Sequence, residues 1–495
     1  MAHDAHHHGH QHASHDAHHE PDDNTLARRH GITRRVFVQS GALALLALGL
    51  PPAFFPRTLA AQLKGASRRK TLICVFQRGA VDGLNMVVPY GERAYYTMRP
   101  NIAIPTPGRA GGALDLDGFF GFHPSLAPLH DLYGDRALAV LHAVASPHPT
   151  RSHFEAQAYM ETADPGNASA REGWLNRVLQ ATANPEQGRT LDDAAAHARD
   201  HAGGQMGMAD LDFVPALRGV AVSSALPLAL QGSHPTLALQ DPENPGIGAR
   251  AQRGGGMADG GMAGGGMAGA QGRAQASALE ESFARLYRSE GNEVLGRTGD
   301  DTFRALEVLR KVDPTRYRAS ADANYPQDAF GESLRRIAQL VKADVGVEVA
   351  FADLGGWDTH RGQGGSEGEM ARRLDVFARG IRALHTDLGT LMDDVVILTM
   401  SEFGRTAREN GARGTDHGHA NCMLALGGDV QGGRILGDWP GLEPELLNQG
   451  RDLARTTDFR DVFSEVVARH LGAERLEAIF PGHAPDASRW RGILG

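Results

Sequence analysis

The stretch "EMARRLDVFARGIRALHTDLGTLMDDVVILTMSEFG", residues 369–404, decides the fold class. Leu374, Phe377, Ile381, Leu384 and Leu388 recur at helical spacing, so its first two thirds predict a long amphipathic helix with one apolar stripe. The stretch then runs without a break into "VVILT", a β-branched apolar run that predicts a buried strand ending at the polar pair Ser401 and Glu402. Moving outward, the alternation repeats. "KTLICVFQRGAVDG" reads as a buried strand closing in a Gly-rich turn, and "ALAVLHAVA" and "GVAVSS" read as further strands. "ESLRRIAQLVKAD" reads as an amphipathic helix leading into the strand and turn of "VGVEVAFADLGG". In "SHFEAQAYMETA", Ser152 followed three residues later by Glu155 predicts a capping box at a helix start. Strands alternating with helices imply an α/β fold, a mainly parallel sheet sandwiched by helices. Such sheets bind ligands outside the carboxyl ends of their strands. Polar residues stand at those ends: Asp82, Asp358 with His360, and Glu402.

Composition narrows the function classes. The chain has 495 residues, 41% hydrophobic and 22% charged, which is ordinary for a globular protein. Its net charge of −9 argues against a nucleic-acid partner, because phosphate binding wants a basic face. Two cysteines, Cys74 and Cys422, make no disulfide framework and, set in apolar runs, read as buried free thiols. A single bridge would require them to meet in space in an oxidising compartment.

Three segments read as something other than core. Residues 31–55, "GITRRVFVQSGALALLALGLPPAFF", carry an Arg34–Arg35 pair before a short apolar run that ends at Pro51 and Pro52. That run is too short to span a bilayer, and with small residues at Ala60 and Ala61 it reads as a signal peptide over residues 1–61. Its spelling resembles the twin-arginine export signal, implying a periplasmic or otherwise exported protein and the twin-arginine translocase as a partner. The His-rich tract upstream belongs to this signal and leaves with it. Residues 62–495 then form one α/β domain, interrupted at 246–275 by a Gly/Met-rich insertion. Met257, Met262 and Met267 recur there among too many glycines to hold a copper(I) geometry, and a flexible surface insertion is the expectation.

The densest chemistry lies in "GTDHGHAN", residues 414–421, where Asp416, His417 and His419 crowd one glycine-bounded loop. Together with Asp82, Asp358, His360 and Glu402 they form a candidate ligand set for one or two divalent ions. Carboxylates and imidazoles suit zinc, manganese, magnesium or calcium better than copper(I). His123, His148 and His153 read as structural.

The blocks "FQRGAVDGLNMVVPYG", "RSHFEAQ", "LGGWDTH", "SEFGRT" and "GTDHGHAN", in this order after a twin-arginine signal, resemble the domain-of-unknown-function family 1501. That family is grouped with the alkaline-phosphatase-like fold shared by sulfatases and cofactor-independent phosphoglycerate mutases. The resemblance implies an exported metal-dependent hydrolase of phosphate or sulfate monoesters, with an anionic small-molecule or polymer ester as substrate. Asp82 matches the superfamily's first metal-binding aspartate, and Ser152 the nucleophile at a helix N-terminus. Asp358 and His360 resemble its middle Asp and His at a shorter spacing. The pattern departs after "VVILT", where Glu402 and Phe403 stand in place of an aspartate and a histidine. Either Asp416 and His417 take over that role, or Glu402 keeps one ligand and His417 or His419 serves as the late histidine. The second reading is preferred on position, and it expects one of the two usual metal sites to be weakened or lost. In an active version the metal would activate the Ser152 hydroxyl, while Arg151 or Arg405 would clamp the anion bidentately. The departure at Glu402 and Phe403 favours the rival class, a non-catalytic binding protein on a degenerate fold of this type.

Overall fold

A computed structural model describes residues 69–183, 217–223, 225–239, 305, 308–309 and 317–495 of the chain. All of them belong to one compact unit, Arg69–Gly495. Residues 1–61, expected to be a signal peptide, and the Gly/Met-rich segment 246–275 lie outside the described residues.

The centre of the unit is β1, Thr71–Gln77, whose seven residues are all buried. It runs parallel to β8, Val349–Leu354, on one side and to β9, Val395–Met400, on the other. Beyond β8 follow β6, Gly219–Ala221, and β7, Leu237–Ala238, both parallel. Beyond β9 the sheet turns antiparallel through β10, Asn421–Gly427, and β5, Leu138–Ala145. The short strands β11, Arg434–Leu436, and β12, Thr457–Asp458, each pair parallel with β5. The nine-stranded sheet is therefore mainly parallel, as the alternating pattern predicts. A separate small sheet of β2, Val87–Val88, β3, Leu114–Asp115, and β4, Gly121–Phe122, sits beside it.

Both faces of the large sheet are covered, which is why β1 and β9 read as unbroken apolar runs rather than alternating ones. Ile73, Val75, Ala350, Ala352, Val395 and Ile397 pack into one core with the helices Ala127–Gly134, Ala329–Ala343 and Glu369–Leu388. Their neighbours Leu72, Cys74, Phe76, Phe351, Leu398 and Met400 pack into a second core with the helices Trp174–Ala181 and Phe459–His470. Each fully buried side chain of this size contributes about 1.5–3 kcal/mol. The helix Glu369–Leu388 buries the whole stripe Leu374, Phe377, Ile381, Leu384 and Leu388. Cys74 and Cys422 are free and buried, and they belong to different cores. Burial pushes both thiols up, Cys422 to about 12, so both stay protonated and inert.

The expected helix start at Ser152 is present, since the helix His153–Thr162 follows Ser152 in extended conformation. The capping box is not formed: the Ser152 side chain makes no cap hydrogen bond, and Glu155 instead accepts from Thr150 Oγ1 at 2.6 Å. Ser152 is left exposed. Among the described residues no helix is long and apolar enough to cross a membrane.

Candidate metal centre

Four loops meet beyond the carboxyl ends of β1, β8 and β9. β1 ends in the turn Arg78–Gly79–Ala80, where Gly79 has φ +112°. A Cβ at Gly79 would lie 2.9 Å from the backbone nitrogen of Asp358, so only glycine lets this turn touch the loop after β8. The loops "SEFGRT" and "GTDHGHAN" pair through a bridge between Arg405 and His417. There a Cβ at Gly418 would collide with the Arg405 carbonyl carbon at 2.3 Å. To these four loops the start of the helix His153–Thr162 adds a fifth contributor.

This convergence brings His153, Asp358 and His417 together, with one ligand atom from each lying within 4.8 Å of the others. His153 Nε2 lies 3.0 Å from His417 Nε2, and Asp358 Oδ1 lies 3.4 Å from His153 Nε2 and 3.3 Å from His417 Nε2. His360 Nε2 meets the same shared edge, 2.9 Å from His417 Nε2 and 3.0 Å from Asp358 Oδ1.

The far side of each imidazole fixes what its near side offers. His153 Nδ1 lies 2.8 Å from the Glu402 carboxylate, His417 Nδ1 2.8 Å from the Arg151 carbonyl, and His360 Nδ1 3.2 Å from Asp416 Oδ1. A carboxylate or a carbonyl only accepts, so each Nδ1 carries the proton and donates. In the neutral rings all three Nε2 atoms are then lone pairs. His417 Nε2 faces the other two at 2.9 and 3.0 Å, and all three face Asp358 Oδ1 at 3.0–3.4 Å. Acceptors crowded this closely are reconciled by a cation among them, a proton or a metal ion. Metal-ligating histidines use this same outer hydrogen bond to fix tautomer and orientation.

The fit to a metal is good. Ligands at about 2.0–2.1 Å in tetrahedral geometry stand roughly 3.3–3.4 Å apart, and the His153–Asp358–His417 edges are 3.0, 3.4 and 3.3 Å. Three such ligands would hold a metal and leave a fourth position for solvent or substrate, as in catalytic zinc sites.

Electrostatics shape the centre further. The Glu402 hydrogen bond is the main cause that holds the His153 pKa above its ordinary value, against burial. Burial pushes His417 down, outweighing its hydrogen bond to Arg151. Burial would raise the Asp358 carboxyl, but the hydrogen bond and charge of Arg405 outweigh it and hold it ionised. Glu402 is also kept low despite burial, because His153, Gln157 and the Gly79 N–H all donate to it. Phe403 packs its ring on His153 and His417, at 4.9 and 5.1 Å between centroids.

Measured against the sequence reading, Asp358, His360 and His417 come together. Glu402 and Asp416 stand one layer out, bonded to the Nδ1 atoms of His153 and His360 rather than to the shared centre. Asp82 lies elsewhere. Its carboxylate is fully buried and closed by Arg99, at 2.6 and 3.0 Å, and by Gln363 Nε2 at 2.7 Å. His419 is outside the group. Neither expected arginine clamp is free. Buried Arg405 donates to the carbonyls of Gly79, Ala80, Trp357 and Thr415 and to Asp358, while Arg151 pairs with Asp452. His153, read as structural, is a member of the centre. Its place directly after the exposed N-cap Ser152 is the signal that could have found it, since a helix start leaves its first side chains free to face a neighbouring loop.

Residues 267–477 match the family model described as protein of unknown function (DUF1501). This match supports the resemblance over that segment, which holds the "LGGWDTH", "SEFGRT" and "GTDHGHAN" blocks. The His153 block precedes it. No curated protein matches the chain.

Proposed function

We propose that this protein is a metal-dependent hydrolase of phosphate or sulfate monoesters, built on an alkaline-phosphatase-like fold and exported by the twin-arginine route. One observation carries the reading: the Nε2 atoms of His153 and His417 lie 3.0 Å apart and 3.4 and 3.3 Å from Asp358 Oδ1, while the Nδ1 atom of each ring faces an acceptor. Two imidazoles and a carboxylate favour zinc over magnesium or calcium, which prefer all-oxygen sets. Because Arg99 neutralises Asp82, the ligands on hand serve one ion rather than two. When bound, the metal would act as a Lewis acid on the ester oxygen.

The chain's own groups have separate tasks. Glu402, the Arg151 carbonyl and Asp416 hold the three rings in their donor orientation. Arg405 holds Asp358 by a 2.6 Å hydrogen bond while tying the surrounding turns together. Half-buried His360 stands beside the three ligands, its Nε2 3.0 Å from Asp358 Oδ1. Ser152, exposed and released from capping, keeps its hydroxyl available as the nucleophile. It also sits where free helix N–H groups favour an anion.

The second reading is a non-catalytic metal-binding protein. The engagement of Arg151 and Arg405 with carboxylates favours it, because it removes both expected anion clamps. Elemental analysis of the signal-free protein, followed by turnover of aryl phosphate and aryl sulfate esters by wild type and Ser152→Ala, separates the two. Tight stoichiometric zinc with turnover that Ser152→Ala abolishes supports the hydrolase. Zinc with no turnover of either ester supports the binding protein.

A further inference from the structure

Beside the metal centre lies a cavity of about 260 Å³. Asp416, whose Oδ1 holds the His360 ring, forms part of its wall, so one side chain separates the two. Pockets that enclose a whole small ligand run from about 300 to 1,000 Å³; this one suits a single ring or short chain.

The lining has a definite polarity. Met98 and Leu447 supply an apolar surface. Two carboxylates reach the wall, but both are turned to other donors. Glu409 accepts the backbone N–H groups of Asn101 and Ile102 at 2.9 and 3.0 Å. Asp416 accepts from Asn410 Nδ2 at 3.0 Å as well as from His360. Arg451 donates Nη2 to the His417 carbonyl at 2.7 Å. Arg408 is exposed, and among the described residues its guanidinium has no hydrogen-bond or ion-pair partner. Arg408 therefore brings five unpaired N–H donors to the cavity, next to the remaining N–H groups of Arg451, the second oxygen of Asp416 and the apolar lining of Met98 and Leu447.

We propose that this cavity is a subsite for an organic anion, a small apolar body ending in a carboxylate or similar group that Arg408 meets bidentately. The inference rests on the hydrolase reading for its role, which is to seat the part of the ester that leaves. A planar guanidinium in the same wall as apolar side chains selects this combination better than either part alone, because the apolar body excludes water from the charged pair.

The test is a binding measurement on metal-free protein, which keeps it independent of turnover. Benzoate, benzyl alcohol and inorganic phosphate are titrated by calorimetry into wild type and Arg408→Ala. Equal thermal midpoints of the two proteins serve as the folding control. The expected result is benzoate binding at least tenfold tighter than benzyl alcohol, lost by at least tenfold in Arg408→Ala, with inorganic phosphate weaker than benzoate. Benzoate binding that is absent, or unchanged in Arg408→Ala, overturns the subsite whatever the turnover assays give. Phosphate binding as tightly as benzoate overturns the apolar part of the proposal. Arg408-dependent benzoate binding in a protein that hydrolyses no ester supports the anion site and removes the hydrolase reading alone.

Discussion

Two carboxylates, Asp82 and Asp358, follow neighbouring parallel strands and were expected to share one ion, yet they live in opposite chemical worlds. Around Asp82 every acceptor meets a donor. Arg99 reaches both oxygens and also bonds Asn85 Oδ1 and the carbonyls of Thr406 and Ala407, while Gln363 donates from the other side. Around Asp358 Arg405 is the one arginine donor, at 2.6 Å, and the Nε2 atoms of His153, His360 and His417 gather at the same oxygen with their Nδ1 protons turned away. A cluster with all its hydrogen bonds made is a structural device; one with too few protons is a candidate cation site. The two are also joined. Gln363, which donates to Asp82, accepts from Thr359 Oγ1 at 2.9 Å and Thr415 Oγ1 at 2.8 Å, so the closed cluster ties down the chain next to Asp358 and Asp416.

The comparison breaks first at the open cluster. His417→Ala or His153→Ala should abolish stoichiometric metal binding, while the thermal midpoint of the metal-free protein stays close to that of wild type. Elemental analysis and calorimetry check this, and unchanged occupancy in both variants would falsify the centre. The closed cluster should answer in the opposite way. Arg99→Ala strands a buried carboxylate and should cost about 3–5 kcal/mol of stability in denaturant unfolding. A loss below 1 kcal/mol would mean that Asp82 is not closed by this pair.

A third expectation separates both clusters from the general acid response of the core. His142 is buried against Phe120 and Trp439, and burial holds its pKa down at about 4. The unfolded chain binds this proton near pH 6.5 and the folded chain only near 4, so stability falls as the pH drops through that window. The full loss is about 3 kcal/mol. His142→Phe should flatten this slope in urea unfolding measured from pH 7 to 4. Its baseline should be lower, because Val87 O and Ala143 N lose their partner. An unaltered slope would assign the acid response elsewhere.

The smallest effect sharpens the outer layer of the open cluster. Glu402→Gln keeps the shape but replaces a charged acceptor for His153 Nδ1–H by a weaker one. Metal affinity should fall by about 10- to 100-fold with the ligands intact. A competition titration with a chelator measures it, and a full loss of binding would promote Glu402 from outer layer to ligand.

Several of these features were legible in the residues and others were not, for identifiable reasons. Polar residues after β8 and β9 could be read from strand ends, because a parallel sheet delivers them to one rim. Which layer each would occupy could not. Glu402 follows β9 and Asp358 follows β8, on either side of β1, but Glu402 is buried under the Gly79 turn and meets the centre only at the back of an imidazole. Ser152 and Glu155 spell a capping box, yet Thr150 takes the glutamate. His153 was passed over because a lone histidine at a helix start carries no spacing signal, and Glu402, its partner, is 249 residues away.

What the chain determined by itself was the sheet and its helices. Runs such as "LICVF" and "VVIL" are apolar at every position, as a strand covered on both faces requires, and the stripe of the helix Glu369–Leu388 fixes the face it turns to that sheet. What the tertiary structure alone decided was the protonation pattern at the rim. A histidine becomes a ligand when a distant acceptor takes its other nitrogen, and an aspartate becomes inert when a distant arginine reaches it. Both outcomes depend on contacts made across the fold, through register and turn geometry that local patterning does not encode.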